Sequence, residues 1–294
     1  MGQFIQLVID GFANGSIYAS LALALVLVRR STGMINFAQG AMGVFTTYVA
    51  LLASNGGAIP SPVAALAALV CGFVVGAFLQ WGVVRRFNVR NAQTATVVSI
   101  ALFMLVTGIC GMAWGYVVRD YPSLFPNAVL PIGPAVVSVQ SLGTAAVVIV
   151  VVVLLQLLFY RTKLGLSLRA VADNPESSQL VGMNVARLLM VGWGLAAVLG
   201  ALAGVLVAPK VYLFPQMMDQ VLVYALAAAI LGGLDSPIGA VIAGWIIGIV
   251  EALAGVYVGI IGSDLKIAVP LIAIFVVLLV RPQGLLGRKE VARV

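Results

Sequence analysis

Read from its N-terminus, the chain is a succession of long apolar runs separated by short polar or basic breaks. Runs at about 4 to 28, 35 to 53, 62 to 84, 95 to 117, 142 to 160, 188 to 208, 220 to 234, 238 to 260 and 264 to 280 predict nine helical segments. Most come close to the roughly 20 residues that a helix needs to cross about 30 Å of hydrocarbon. The alternating pattern of barrel strands is absent. Two segments depart from the rule. The second opens on the polar string Asn36-Phe37-Ala38-Gln39-Gly40, and the seventh is short and ends at Gly232-Gly233-Leu234-Asp235-Ser236-Pro237. Either is expected to be broken or re-entrant. The predicted fold is therefore all-α: one polytopic transmembrane helical bundle over 1–294, with about 8–9 spans and one or two broken or re-entrant segments.

Composition agrees with this pattern. Hydrophobic residues make up 63% of the chain and charged residues 9%, against about 45 to 50% and about 25% in soluble domains. A water-soluble fold is excluded. The net charge of +7 does not indicate nucleic acid, because the basic residues sit in short clusters between apolar runs rather than on a basic face with interleaved aromatics. With nine spans and the N-terminus outside, one side collects Arg29, Arg30, Arg85, Arg86, Arg90, Arg161, Lys163, Arg169, Arg187, Arg281, Arg288, Lys289 and Arg293, and the other only Arg119, Lys210 and Lys266. That asymmetry is the positive-inside rule, and it predicts a cytoplasmic C-terminus. The segment Met1 to Gln6 lacks a signal-peptide pattern, so the first run is expected to be retained.

The longest basic interruption, Arg161 to Arg187, contains Asn174-Pro175-Glu176-Ser177-Ser178-Gln179-Leu180-Val181-Gly182. Asn favours the N-cap, Pro the first helical position and Glu the positive end of the dipole, while Gly supplies a stop. The 161–187 loop is thus expected to carry a short cytoplasmic helix at about 175–181. Such a separately capped helix is either a docking surface for a partner or a connector that closes the bundle. Asn174, Pro175, Glu176, Ser177, Leu180 and Gly182 are the candidate docking residues.

Polar residues within spans are expensive in lipid, by about 2.5 to 3.5 kcal/mol for a central charge on insertion scales. Glu251 stands inside an otherwise apolar run, either as a pathway residue or as a carboxyl that joins helices. Asn14 lies in the first span and Asn36 and Gln39 open the second. Amides both donate and accept, so they suit a broken helix that lines a path or a zwitterionic ligand, and equally plain helix packing. Asn14, Asn36, Gln39 and Glu251 are the candidate pathway residues. Six Gly-x-x-x-Gly pairs, beginning at Gly11, Gly72, Gly111, Gly200, Gly244 and Gly255, are expected to pack helices together.

No P-loop occurs, since the four lysines follow Thr162, Pro209, Leu265 and Arg288 rather than glycine. Nor is there a histidine, a metal-ligand spacing, a nucleophile motif or a paired-carboxylate site. Cys71 and Cys110 fall in apolar runs and read as buried hydrophobes. The chain is expected to be a transport protein and not an enzyme, with no metal, no cofactor and no nucleotide site of its own.

The stretch Gly15 to Leu25, the string Arg30-Ser31-Thr32-Gly33-Met34-Ile35-Asn36-Phe37-Ala38-Gln39-Gly40, the segment Arg169 to Pro175 with Gly182, and Leu231-Gly232-Gly233-Leu234 leading to Gly239 and Glu251 closely resemble branched-chain amino acid ABC transporter permeases. The landmarks keep the family's order over nearly the whole chain. Asp235-Ser236-Pro237 departs mildly from the family's more common Gly-Ser version, and urea and short-amide permeases share much of the pattern. The resemblance implies a permease subunit of an importer in the bacterial inner membrane. Its implied partners are a second, homologous permease in a heterodimer, two cytoplasmic ATPase subunits that use ATP, and an extracytoplasmic substrate-binding protein. It also implies that the Asn174 to Gly182 helix couples the chain to the ATPase. Outside the family, an ion-coupled secondary transporter is the competing reading, with Glu251 as its best support.

Overall fold

The computed structural model describes residues 2–54, 59–87, 91–132, 135–259, 262 and 265–287. Arg90, Arg288, Lys289 and Arg293, assigned above to the basic side, lie outside them, as do Ile260 and Asp264 at expected span ends. Nine apolar helices follow the predicted runs: α1 (Gly2–Thr32), α2 (Gln39–Ala53), α3 (Ser61–Gly82), α4 (Ala92–Trp114), α5 (Val139–Arg161), α8 (Val185–Val211), α9 (Asp219–Gly232), α10 (Pro237–Tyr257) and α11 (Ala268–Val280). Six are long and apolar enough to cross a membrane, while α2, α9 and α11 are shorter. The protein is a multi-pass membrane bundle.

Glycines decide how closely these helices approach. α1 and α10 run antiparallel with Gly11 against Gly248 and Gly15 against Gly244, so that backbone meets backbone. Gly72 and Gly76 of α3 lie in the same way against Ala197 and Trp193 of α8, and Gly200 and Gly204 receive Gln39, Gly43 and Thr47 of α2. Close approach through small residues is what holds helices together where water supplies no driving force between them. The other two Gly-x-x-x-Gly pairs do different work. Gly111 faces the Tyr116 side chain and Gly115, at φ 76°, terminates α4, while Gly255 meets the Lys266 side chain. Spacing alone does not say whether a helix or a loop will fill the notch.

α1 and α8 are buried along most of their length, whereas α3 and α5 lie at the periphery. Exposed Leu66, Val70 and Phe78 on α3, Leu154 and Leu157 on α5, and Phe275 and Leu279 on α11 form an apolar exterior suited to lipid.

The two segments that broke the sequence pattern are half-helices. Gln39 bonds to Ala196 of α8, 11 residues or about 16 Å along that helix from Val185. α2 therefore begins near the middle of the bundle and runs parallel to α8, as the pairs Gly43 with Gly200 and Thr47 with Gly204 show. Gly40 in turn packs on Met218 and Leu222, so α9 starts at the same depth and runs the other way, ending where Asp235 reaches Arg29 at 3.8 Å. The chain turns into α9 through Tyr212, the only non-glycine residue with positive φ (65°) among the described residues.

Arg29, Arg30, Arg85, Arg86, Arg161, Lys163, Arg187 and Arg281 fall at or beside helix ends on one face, with Arg169 inside the short helix that lies there, and Arg119, Lys210 and Lys266 fall at the opposite one. The second face also carries two features absent from the sequence expectation. Strands β1 (Val129–Ile132) and β2 (Ala135–Ser138) pair antiparallel, and Arg119 bridges to Leu213. On the basic face the 161–187 loop holds two helices where one was expected: α6 (Lys163–Asp173) and α7 (Pro175–Leu180). α6 is amphipathic, begins with Thr162 accepting from Gly165 N at 3.0 Å, and buries Gly165, Leu168 and Val171. Its mixture of Lys, Ser and Arg with leucines hides it in a hydropathy reading.

Candidate functional site

Between α1, the end of α8, the start of α9 and α10 lies a cavity of about 660 Å³, on the side of the bundle remote from the basic face. Ile17, Val207, Phe214, Met217 and Val221 give it an apolar wall, and Lys210, Asp219, Glu251 and Lys266 bring two charges of each sign. Such a mixture of apolar lining with a few convergent polar groups is the usual make-up of a small-molecule site.

The polar groups are held by α1. Asn14 and Tyr18 are four residues apart and so share one helix face. Asn14 Oδ1 accepts from Lys210 Nζ at 2.8 Å, and the Tyr18 hydroxyl donates to Glu251 Oε2 at 2.9 Å. Tyr18 is stacked on Tyr224 of α9, with ring centroids 4.6 Å apart, and both rings as well as Lys266 face the Glu251 carboxylate. Only 9% of Glu251 is exposed, so a charge there needs these partners. The close α1–α10 contact makes the arrangement possible: Trp245 of α10 stacks on Phe12 and donates from Nε1 to Ser16 Oγ at 3.1 Å.

Of the four pathway candidates, Asn14 and Glu251 line this cavity and Asn36 and Gln39 do not. The latter two are completely buried. Asn36 Oδ1 accepts from Ala38 N at 3.1 Å and its amide donates to Gln39 Oε1 at 3.3 Å, while Gln39 Nε2 donates to Ala196 O at 2.6 Å. These bonds satisfy the broken backbone before α2 and fasten that half-helix to α8. Tyr18, Lys210, Asp219, Tyr224 and Lys266 were not singled out from the sequence. The signal available was the pairing of Asn14 with Tyr18 on one face, together with two lysines and an acid close to span ends.

On the basic face, Asn174 caps α7 by accepting from Ser177 N at 2.9 Å, and Pro175 and Glu176 occupy its first turn. Gly182, at φ 83°, ends it and donates to Gln179 O. Ser178 is buried and anchors the turn, whereas Leu180 is 91% and Val181 75% exposed. Two bare apolar side chains thus project from the end of α7, in addition to the exposed Leu164 and Leu166 of α6. A hollow of about 340 Å³ lies beside it, lined by Gln80, Arg85, Pro175, Gln179 and Leu189 among others.

A bundle with paired half-helices meeting near mid-depth, a charged cavity on one side and a capped basic-face hairpin on the other is the architecture of a membrane transport protein. The chain belongs to the family described as branched-chain amino acid transport system / permease component, whose pattern it matches over residues 7–279. It is 30% identical to the high-affinity branched-chain amino acid transport system permease protein LivH of Salmonella typhimurium, over 99% of this chain and 98% of that protein. BraD of Pseudomonas aeruginosa, a permease protein of the same description, is 26% identical over the same shares. A probable LivH of Methanocaldococcus jannaschii is 30% identical over 91% of this chain and 87% of that protein. Among solved structures, PsaBC from Streptococcus pneumoniae in complex with Fab shares the fold, with a TM-score of 0.50 at 12% identity, covering 96% of this chain and 93% of that one. Transport permeases are not themselves enzymes, and the cavity carries no metal-ligand cluster among the described residues.

Proposed function

We propose that this chain is the membrane-spanning permease subunit of an ABC importer that carries leucine, isoleucine, valine or related amino acids inward across a bacterial inner membrane. The observation that carries this reading is kinship over essentially the full length with permease proteins of that substrate class. The cavity supports it: an aliphatic amino acid presents one apolar and one charged part, and the lining offers surfaces for both.

The chain has no P-loop, so the energy comes from two ATPase subunits on the basic face, which the positive-inside rule makes cytoplasmic together with the C-terminus. A substrate-binding protein docks at the opposite face, and a second, homologous permease completes the transmembrane unit. The α6–α7 hairpin meets the ATPase. Leu180 and Val181 insert into the partner, and the Asn174 cap and the Gly182 stop keep α7 rigid enough to pass nucleotide-driven motion to α5 and α8.

Urea and short amides are the chemical alternative within the family pattern. In vesicles containing the complete importer, labelled leucine uptake should be suppressed by excess isoleucine or valine and not by urea or acetamide. Suppression by urea or acetamide alone would reassign the substrate.

A further inference from the structure

The charges around the cavity do not all answer one another. Glu251 accepts from Tyr18 and faces Tyr224 and Lys266, so these side chains share one corner of the cavity, although Glu251 and Lys266 form no ion pair among the described residues. Two further charges stand apart from that corner. Lys210 gives one of its three hydrogens to the neutral amide of Asn14. Its nearest acidic influence, Asp10, accepts instead from Ser141 at 3.1 Å and makes no ion pair with it among the described residues. Asp219, at the start of α9, lines the same cavity, and its side chain has no hydrogen-bond or ion-pair partner among the described residues. Lys210 at the end of α8 and Asp219 where α9 begins inside the bundle both line this cavity, so one cation and one anion face a shared space.

Charged groups near a hydrocarbon layer are kept where a partner or a function requires them. An α-amino acid carries its ammonium and carboxylate on one carbon and is the smallest ligand that answers both. We propose that the cavity is a zwitterion site with assigned poles, Lys210 Nζ receiving the substrate carboxylate and Asp219 the substrate ammonium. The aliphatic side chain then lies on Ile17, Val207 and Val221. This assignment rests on the importer reading above and adds to it that the permease itself reads the charged end of its cargo. Lys210 has two free donors for the carboxylate, and Asp219 has its full acceptor capacity for the ammonium.

The test is saturable binding of labelled leucine to the purified permease complex without the substrate-binding protein. Competitors are leucinamide, which lacks the anion, and 4-methyl-2-oxopentanoate, which lacks the cation. With the wild-type complex, unlabelled leucine should compete about tenfold or more better than either analogue, as expected from losing one charge-assisted contact. Lys210→Met should weaken leucine about tenfold while leaving leucinamide competition unchanged, and Asp219→Asn should weaken leucine while leaving the oxo acid unchanged. Three results overturn the proposal: no saturable leucine binding into the millimolar range in the wild type, analogues that compete as well as leucine, or variants that weaken all three ligands alike. The wild-type competition series decides the matter even if a variant does not fold. ATP-driven leucine uptake that survives alongside any of these results removes the pole assignment and leaves the importer reading standing.

Discussion

A methyl group at Gly15 is the sharpest probe of how the bundle is held together. A Cβ there would lie 2.7 Å from Gly244 O and 2.9 Å from Trp245 Cα, about 0.5 to 0.7 Å short of ordinary contact between heavy atoms. Both obstacles are on the backbone of α10, so no rotamer change relieves them. Gly15→Ala must therefore push α1 and α10 apart. Overpacking of this kind costs about 1 to 3 kcal/mol, and the better helix propensity of alanine returns about 0.5 to 1 kcal/mol, which leaves a net loss of about 0 to 2.5 kcal/mol; backbone obstacles that no rotamer relieves put Gly15→Ala in the upper half of that range. The displacement also strains the Trp245–Ser16 and Tyr18–Glu251 bonds, which span the same two helices, so uptake should fall with stability. Gly108→Ala is the control, because nothing lies within 4 Å of that position; it should be neutral or slightly stabilising. Denaturation in detergent micelles followed by tryptophan fluorescence reads both variants. A Gly15→Ala protein as stable as the wild type would refute the view that backbone contact between α1 and α10 is limiting.

Two further substitutions separate packing from pathway and structure from coupling. Gln39→Leu removes the donor to Ala196 O and should cost about 1 to 3 kcal/mol while the surviving protein keeps its KM for leucine. A raised KM at unchanged stability would instead give Gln39 a place on the substrate path. Gly182→Ala forces a side chain to φ 83°, at a cost of about 1 to 2 kcal/mol in the left-handed region. It should loosen α7 and uncouple ATP hydrolysis from uptake; normal coupling ratios would count against docking through the hairpin.

The helices were legible because lipid imposes a length and a composition that the sequence must meet. The polar opening of α2 and the short α9 also showed in the sequence, since half-helices need backbone partners and cannot be uniformly apolar. The destination of each polar group was harder to read. Asn36 and Gln39 read as a broken helix that also lines a path; their hydrogen bonds serve the buried break before α2 and they do not line the cavity beside Glu251, because a re-entrant turn needs amide partners as much as a ligand does. Lys210 and Lys266 counted in the sequence only toward orientation, because their shared cavity depends on the depth at which α9 begins and on how α10 crosses α1, neither of which hydropathy encodes. α6 and the β1–β2 hairpin escaped for the opposite reason: they lie at the faces, where sequence patterns follow local capping rather than lipid. Asn14 was singled out in the sequence, and Tyr18, four residues on along the same face of α1, was within reach.

The central claim is that substrate crosses through this chain on energy released elsewhere. The most direct measurement is labelled leucine accumulation in vesicles reconstituted with the permease pair, the ATPase subunits and the binding protein, with ion gradients dissipated. Accumulation should require ATP on the basic-face side and vanish when the ATPase subunits are omitted. Accumulation by the permease alone, driven by an imposed ion gradient without ATP, would contradict the account.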